Sequence, residues 1–131
     1  MLLARIKEFL DEADMLIAQH AIYISKLEKA IEKGEEFDRK SCHECKFGLE
    51  WDNHVTPLKN ELDDELKSLV EEIEKIHCEF HEIGMQIDTK NPQPSDREKL
   101  GRMEELSTLL LQKLLAFKKL LNLEKDSQNS E

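Results

Sequence analysis

Five histidines and three cysteines hold most of the metal and redox chemistry open to this 131-residue chain. His77 and His81 stand four apart, which on a helix puts both rings on one side, one turn apart, within reach of a single ion. Cys42-His43-Glu44-Cys45 is a C-x-x-C, a spacing that suits a zinc knuckle or a redox pair. No second C-x-x-C occurs, and no βαβ pattern supports a thioredoxin reading. His20 falls three after Ile17 and four before Ile24, where a Leu or Ile would continue an apolar stripe. A buried imidazole there needs partners for both ring nitrogens. The plainer alternative is a core histidine bonded to a carbonyl or carboxylate, and for His77 and His81 two ordinary histidines at the edge of a core. Cys78 is next to His77 but about 100° round the helix from it, and is read as a small residue, packed or half exposed. Glu74-x-x-His77 is half of a di-iron motif, but no second E-x-x-H accompanies it. Thiolate and imidazole together favour Zn²⁺.

These residues must be carried by helices. Leu3, Ile6, Leu10, Ala13, Ile17, Ile24, Leu27 and Ile31 make one apolar face over roughly residues 2–33, with Gly34 as the predicted C-cap. Residues 37–53 form a short second segment in which Asp38 could cap a helix and Gly48 weakens it. Thr56-Pro57 reads as the start of a third helix running to about Ile87, with the stripe Leu62, Leu66, Leu69, Ile73, Ile76, Phe80, Ile83 and Ile87. After the loop 88–94, a capping pattern from Ser95 to Glu98 opens a fourth helix that ends near Leu123. The predicted fold is all-α: an antiparallel four-helix bundle with three long helices and a short one carrying the Cys motif. It occupies residues 1–123 as one domain, followed by a polar tail, 124–131, predicted to be disordered. Leu109, Leu111, Leu115, Leu120 and Leu123 lie off the main stripe of helix four, as do Phe9, Leu16 and Ile22 on helix one. A second apolar face predicts a homodimer through these two helices.

Composition narrows the partners. The net charge is −10, which disfavours nucleic acid and an anionic membrane surface, both of which need a basic face. No segment reaches the ~18 uninterrupted apolar residues of a membrane span. The first ten residues lack the apolar stretch of a signal peptide. The chain is therefore placed in the cytoplasm, and an odd cysteine count there argues against a disulfide framework.

The run Cys45-Lys46-Phe47-Gly48 followed by Trp51, with His20 upstream and His77-x-x-x-His81 downstream, resembles the chemoreceptor zinc-binding (CZB) domain family. Two residues, Leu49 and Glu50, separate Gly48 from Trp51, where the family usually has one. The resemblance implies a zinc ion held by His20, Cys45, His77 and His81; Cys42, the other cysteine of the C-x-x-C, is the reserve candidate for the thiolate. It implies a zinc-binding regulatory or sensor domain of bacterial signalling, of the chemotaxis or cyclic-di-GMP type, and not an enzyme. Such a domain would report zinc, or oxidants met by the zinc-bound cysteine, to a partner in trans or within a longer parent chain. The alternatives are a metal-free helical scaffold or adaptor dimer, and a metal-dependent hydrolase. The hydrolase would need an open metal position that four protein ligands deny.

Overall fold

The computed structural model describes the backbone of residues 2–129 and the side chains of residues 4–122. It is all-helical among the described residues. The elements are α1 (Leu2–Lys33), α2 (Lys46–His54), a 3₁₀ turn (Thr56–Glu61), α3 (Asp64–Met85) and α4 (Asp96–Asn129). None of these helices is long and apolar enough to cross a membrane. Helix α4 packs against both α3 and α1, and α2 lies on α1. Along the α3–α4 face, Glu79 pairs with Arg102 and Glu72 with Lys113.

Helix α1 stops where the sequence says it should. Gly34 has φ 64°, a left-handed conformation that costs glycine nothing. Glu35 N donates to Ala30 O at 3.0 Å and Gly34 N to Ile31 O at 3.2 Å, a Schellman closure. The next ten residues are not helical, which corrects the expected helix from about residue 37. The stretch is instead tied to the end of α3 and the α3–α4 connection. Arg39 donates to the carbonyls of Met85 and Ile87, and Thr89 Oγ1 to Glu35 O.

Helix α2 begins only at Cys45, whose Sγ accepts from Gly48 N at 3.4 Å and so serves as the N-cap. The third helix also starts later than expected. Thr56-Pro57 opens a 3₁₀ turn, and α3 begins after Asp63, whose Oδ1 accepts from Leu66 N at 2.9 Å. A carboxylate there satisfies an otherwise orphaned donor, which Leu62 cannot do. Helix α4 continues to Asn129, past Leu123, where its apolar pattern stops. Residues 130–131 of the predicted tail lie outside the described residues.

Two of the three off-stripe residues of α1 meet the chain itself. Phe9 and Leu16 are buried, Phe9 with its ring edge-on to Phe47 and Trp51 of α2 at 5.3 Å each. The expectation that both faced outward is corrected: both are buried, and α2, though short, covers that face at Phe9. Met15, Ile22 and Leu115 are the described large apolar residues of α1 and α4 that remain well exposed.

Candidate metal centre

Three helices deliver four side chains to one point. His20 comes from the middle of α1, His77 and His81 from successive turns of α3, and Cys45 from the N-cap of α2. The three imidazoles are buried and Cys45 is half-buried. His20 Nε2 is 3.2 Å from His77 Nε2, 3.4 Å from His81 Nε2 and 3.9 Å from Cys45 Sγ. Cys45 Sγ is 3.2 Å from His77 Nε2. All four ligand atoms lie within 4.8 Å of one another.

Gly48 makes this approach possible. A Cβ built on it would stand 1.7 Å from Cys42 O. The turn 42–45 thus folds directly over the first turn of α2, and only a residue without a side chain fits beneath it. Trp51, one turn on, is buried and donates from Nε1 to Glu74 Oε2 at 3.1 Å. Lys59 Nζ reaches Glu74 Oε1 at 2.8 Å. Glu74 is therefore a positioning residue between α2 and α3, and lies outside the four-residue group, as expected from the missing second E-x-x-H.

The electrostatics leave the imidazoles neutral. Burial lowers the pKa of His20 to about 3, with His81 adding to the shift. Burial, then His20, His81 and His43, lower that of His77 to about 2. Burial lowers that of His81 too, against a hydrogen bond to Lys40 O. Nδ1 of His81 donates to that carbonyl at 2.9 Å, so its Nε2 carries the lone pair. Burial pushes the Cys45 thiol up, partly offset by the backbone N–H groups of Gly48 and Phe47.

Protein groups alone do not satisfy this arrangement. Nδ1 of His20 is buried with no hydrogen-bond partner. Its Nε2 faces two more Nε2 atoms and a sulfur, and a single proton can serve only one of those three directions. A core histidine bonded to a carbonyl or carboxylate would look different. The spacing does fit a cation. Zn–N bonds of about 2.0–2.1 Å and a Zn–S bond of about 2.3 Å give a tetrahedron with N···N edges of about 3.3 Å and S···N edges of about 3.6 Å. The observed separations straddle these values.

The other candidates sit elsewhere. His43 Nδ1 lies 3.1 Å from Asp52 Oδ2, and His54 Nε2 3.1 Å from Glu50 Oε2. Cys42 is bonded to Cys78 and Cys45 is free. The expectation of no disulfide is thus corrected. Cys78 is turned away from His77 toward the 42–45 turn, with a Cα–Cα distance to Cys42 of 4.8 Å, within the range a disulfide spans. Pattern reasoning missed this pair because it joins a loop to a helix 36 residues away. The Lys40 carbonyl was equally invisible, since any residue supplies one.

Fold and cluster define a class: a helical domain that gathers three imidazoles and one thiol in its interior. The model of the chemoreceptor zinc-binding domain matches residues 20–87, just over half of the chain, and the protein belongs to that family. The matched stretch begins at His20 and contains the other three members of the cluster. No match was found among curated proteins or among solved structures.

Proposed function

We propose that His20, Cys45, His77 and His81 hold one zinc ion, and that the chain is a regulatory domain of bacterial signalling rather than an enzyme. The observation that carries this reading is the convergence of His20 Nε2 on the other three ligand atoms while its Nδ1 is left without a partner. Four protein ligands close a tetrahedron and leave no position for a reacting water, which sets a hydrolase aside. A metal-free scaffold would leave the buried cluster unsatisfied. The support for an antiparallel bundle as the frame is the order of the α3–α4 ion pairs, Glu79 with Arg102 and Glu72 with Lys113. Cytoplasmic location and a signalling partner, of the chemotaxis or cyclic-di-GMP type, in trans or in a longer parent chain, complete the reading.

Bound zinc would keep Cys45 as thiolate, the form that oxidants attack. Cys45 also lines a groove of about 530 Å³ together with His20, Tyr23, Lys40 and His81, which gives a small oxidant a path to it. Oxidation of Cys45 weakens its donation and releases the N-cap of α2. Hydrogen exchange over residues 38–53 tests this. Protection is expected to be high with zinc, and to fall after chelation and after mild peroxide. Equal protection in all three states would leave zinc a purely structural role.

A homodimer through α1 and α4 is part of the same reading, supported by exposed Met15, Ile22 and Leu115. Sedimentation at micromolar concentration is expected to show two chains, with dissociation on Ile22→Glu. A monomeric native protein would rule the dimer out.

A further inference from the structure

The cluster described above leaves Cys42, Cys78, His43 and His54 unused, and the first three of these are themselves close together. Cys42 Sγ, Cys78 Sγ and a ring nitrogen of His43 lie within 4.8 Å of one another. We propose that Cys42, His43 and Cys78 form a second zinc site that exists only when the Cys42–Cys78 bridge is reduced, so that oxidant and metal compete for the same two sulfurs. The inference goes beyond the His20–Cys45–His77–His81 site and shares no ligand with it.

Three observations carry it. First, the donor set is two thiolates and an imidazole, the softest set this chain can offer outside the first cluster and one suited to Zn²⁺. Second, the histidine is oriented. Its Nδ1 is 3.1 Å from Asp52 Oδ2 on α2, the carboxylate–histidine arrangement that directs the second ring nitrogen to a metal. Asp52 is in turn held by Thr56 Oγ1, which donates to its Oδ1 at 3.0 Å. Third, there is room. Cys42, His43, Asp52 and Cys78 line a cavity of about 270 Å³, enough for an ion and the water that would complete a fourth position.

The structure shows the oxidised member of the pair of states. The exchange between them balances. With a peroxide as oxidant, the two thiolates give up two electrons, the S–S bond forms, the O–O bond breaks and two hydroxide ions leave. The zinc ion, left with a single histidine, is released. A dithiol reduces the bridge by thiol–disulfide exchange, becoming a disulfide itself, and the freed thiolates can bind metal again.

The two states also differ at the first site. Cys42 O lies 3.9 Å from Cys45 Sγ and presses on Gly48, and Cys78 adjoins His77. The bridge therefore pins the turn that positions Cys45 to the helix that carries His77 and His81. Opening it hands that restraint to the second zinc ion.

Zinc titration of the full chain, after reduction with a phosphine and separately with the Cys42–Cys78 bridge formed and Cys45 left as thiol, tests the proposal. The reduced protein is expected to bind two zinc ions per chain and the oxidised protein one. Reduced Cys78→Ser and Cys42→Ser should each bind one, with helical content unchanged by circular dichroism. Reduced His20→Ala should lose the first ion and keep the second, which separates failure of this inference from failure of the first assignment. In the cobalt(II) form, the sulfur-to-metal absorption of the reduced protein should exceed that of the oxidised protein about threefold, as three thiolates replace one. One zinc ion in the reduced native protein, or two in the reduced Cys78→Ser protein, would overturn the proposal.

Discussion

The His20→Ala protein, with its Cys42–Cys78 bridge intact, is expected to lose its zinc. His20 Nε2 is the hub of the cluster, 3.2–3.9 Å from each of the other ligand atoms. Losing an outer-sphere partner already costs about 10–100-fold in affinity, so loss of a direct ligand should exceed 100-fold. The same change removes folding energy. Structural zinc sites contribute about 10–16 kcal/mol of apparent binding energy, and metal that is not bound cannot stabilise. The thermal midpoint of the native protein should fall on chelation, whereas that of His20→Ala should scarcely move. Bridged Cys45→Ala should behave like His20→Ala. Cys42→Ser should still fill the first site, because Cys42 belongs to the disulfide and not to the cluster. Unchanged zinc affinity in His20→Ala by competition with a chromophoric chelator would overturn the assignment. Loss of zinc from the first site in Cys42→Ser would move the thiolate role to Cys42.

Gly48→Ala should be nearly as damaging, although it removes no ligand. Its Cβ would meet Cys42 O at 1.7 Å and Cys42 C at 2.8 Å, both backbone atoms that cannot rotate aside. Relief requires the 42–45 turn to lift from α2 by more than an ångström. Overpacking of this kind costs about 1–3 kcal/mol, and here the upper end is expected because the turn is also held by Cys78. Displacing the turn carries Cys45 away from His20 and His77, so zinc affinity should fall together with stability. Gly101→Ala is the control: its Cβ meets nothing within 4 Å, and it should be neutral or slightly stabilising. If Gly48→Ala kept native affinity and midpoint, the close approach of the turn would not matter in solution.

Much of this was legible in the chain. A threefold and fourfold apolar repeat broken at Gly34 and after Ile87 is enough to specify three long helices, because burying one face of each is the dominant gain. The interrupted stripe at His20, the i, i+4 spacing of His77 and His81, and the Cys45–Gly48 run are local patterns, and local patterns survive in sequence. They pointed to the four residues that the fold brings together, and to the family.

What only the tertiary structure decided is how the segment 35–63 is laid down. Asp38 read as a helix cap, but the side chains of Arg39 and Thr89 tie that stretch to the α3–α4 connection, and α2 starts only after Cys45 caps it. Pattern alone made Gly48 a weakness in a helix, and the contact with Cys42 O makes it a requirement. Phe9 and Leu16 read as surplus apolar surface for a partner, yet both are buried, Phe9 beneath Phe47 and Trp51 of α2. The pairing of Cys42 with Cys78 was equally beyond the sequence. All three are thiols of the same intrinsic chemistry. Which sulfur meets an imidazole and which meets another sulfur depends on a few ångströms of loop placement, set by contacts between residues far apart in the chain.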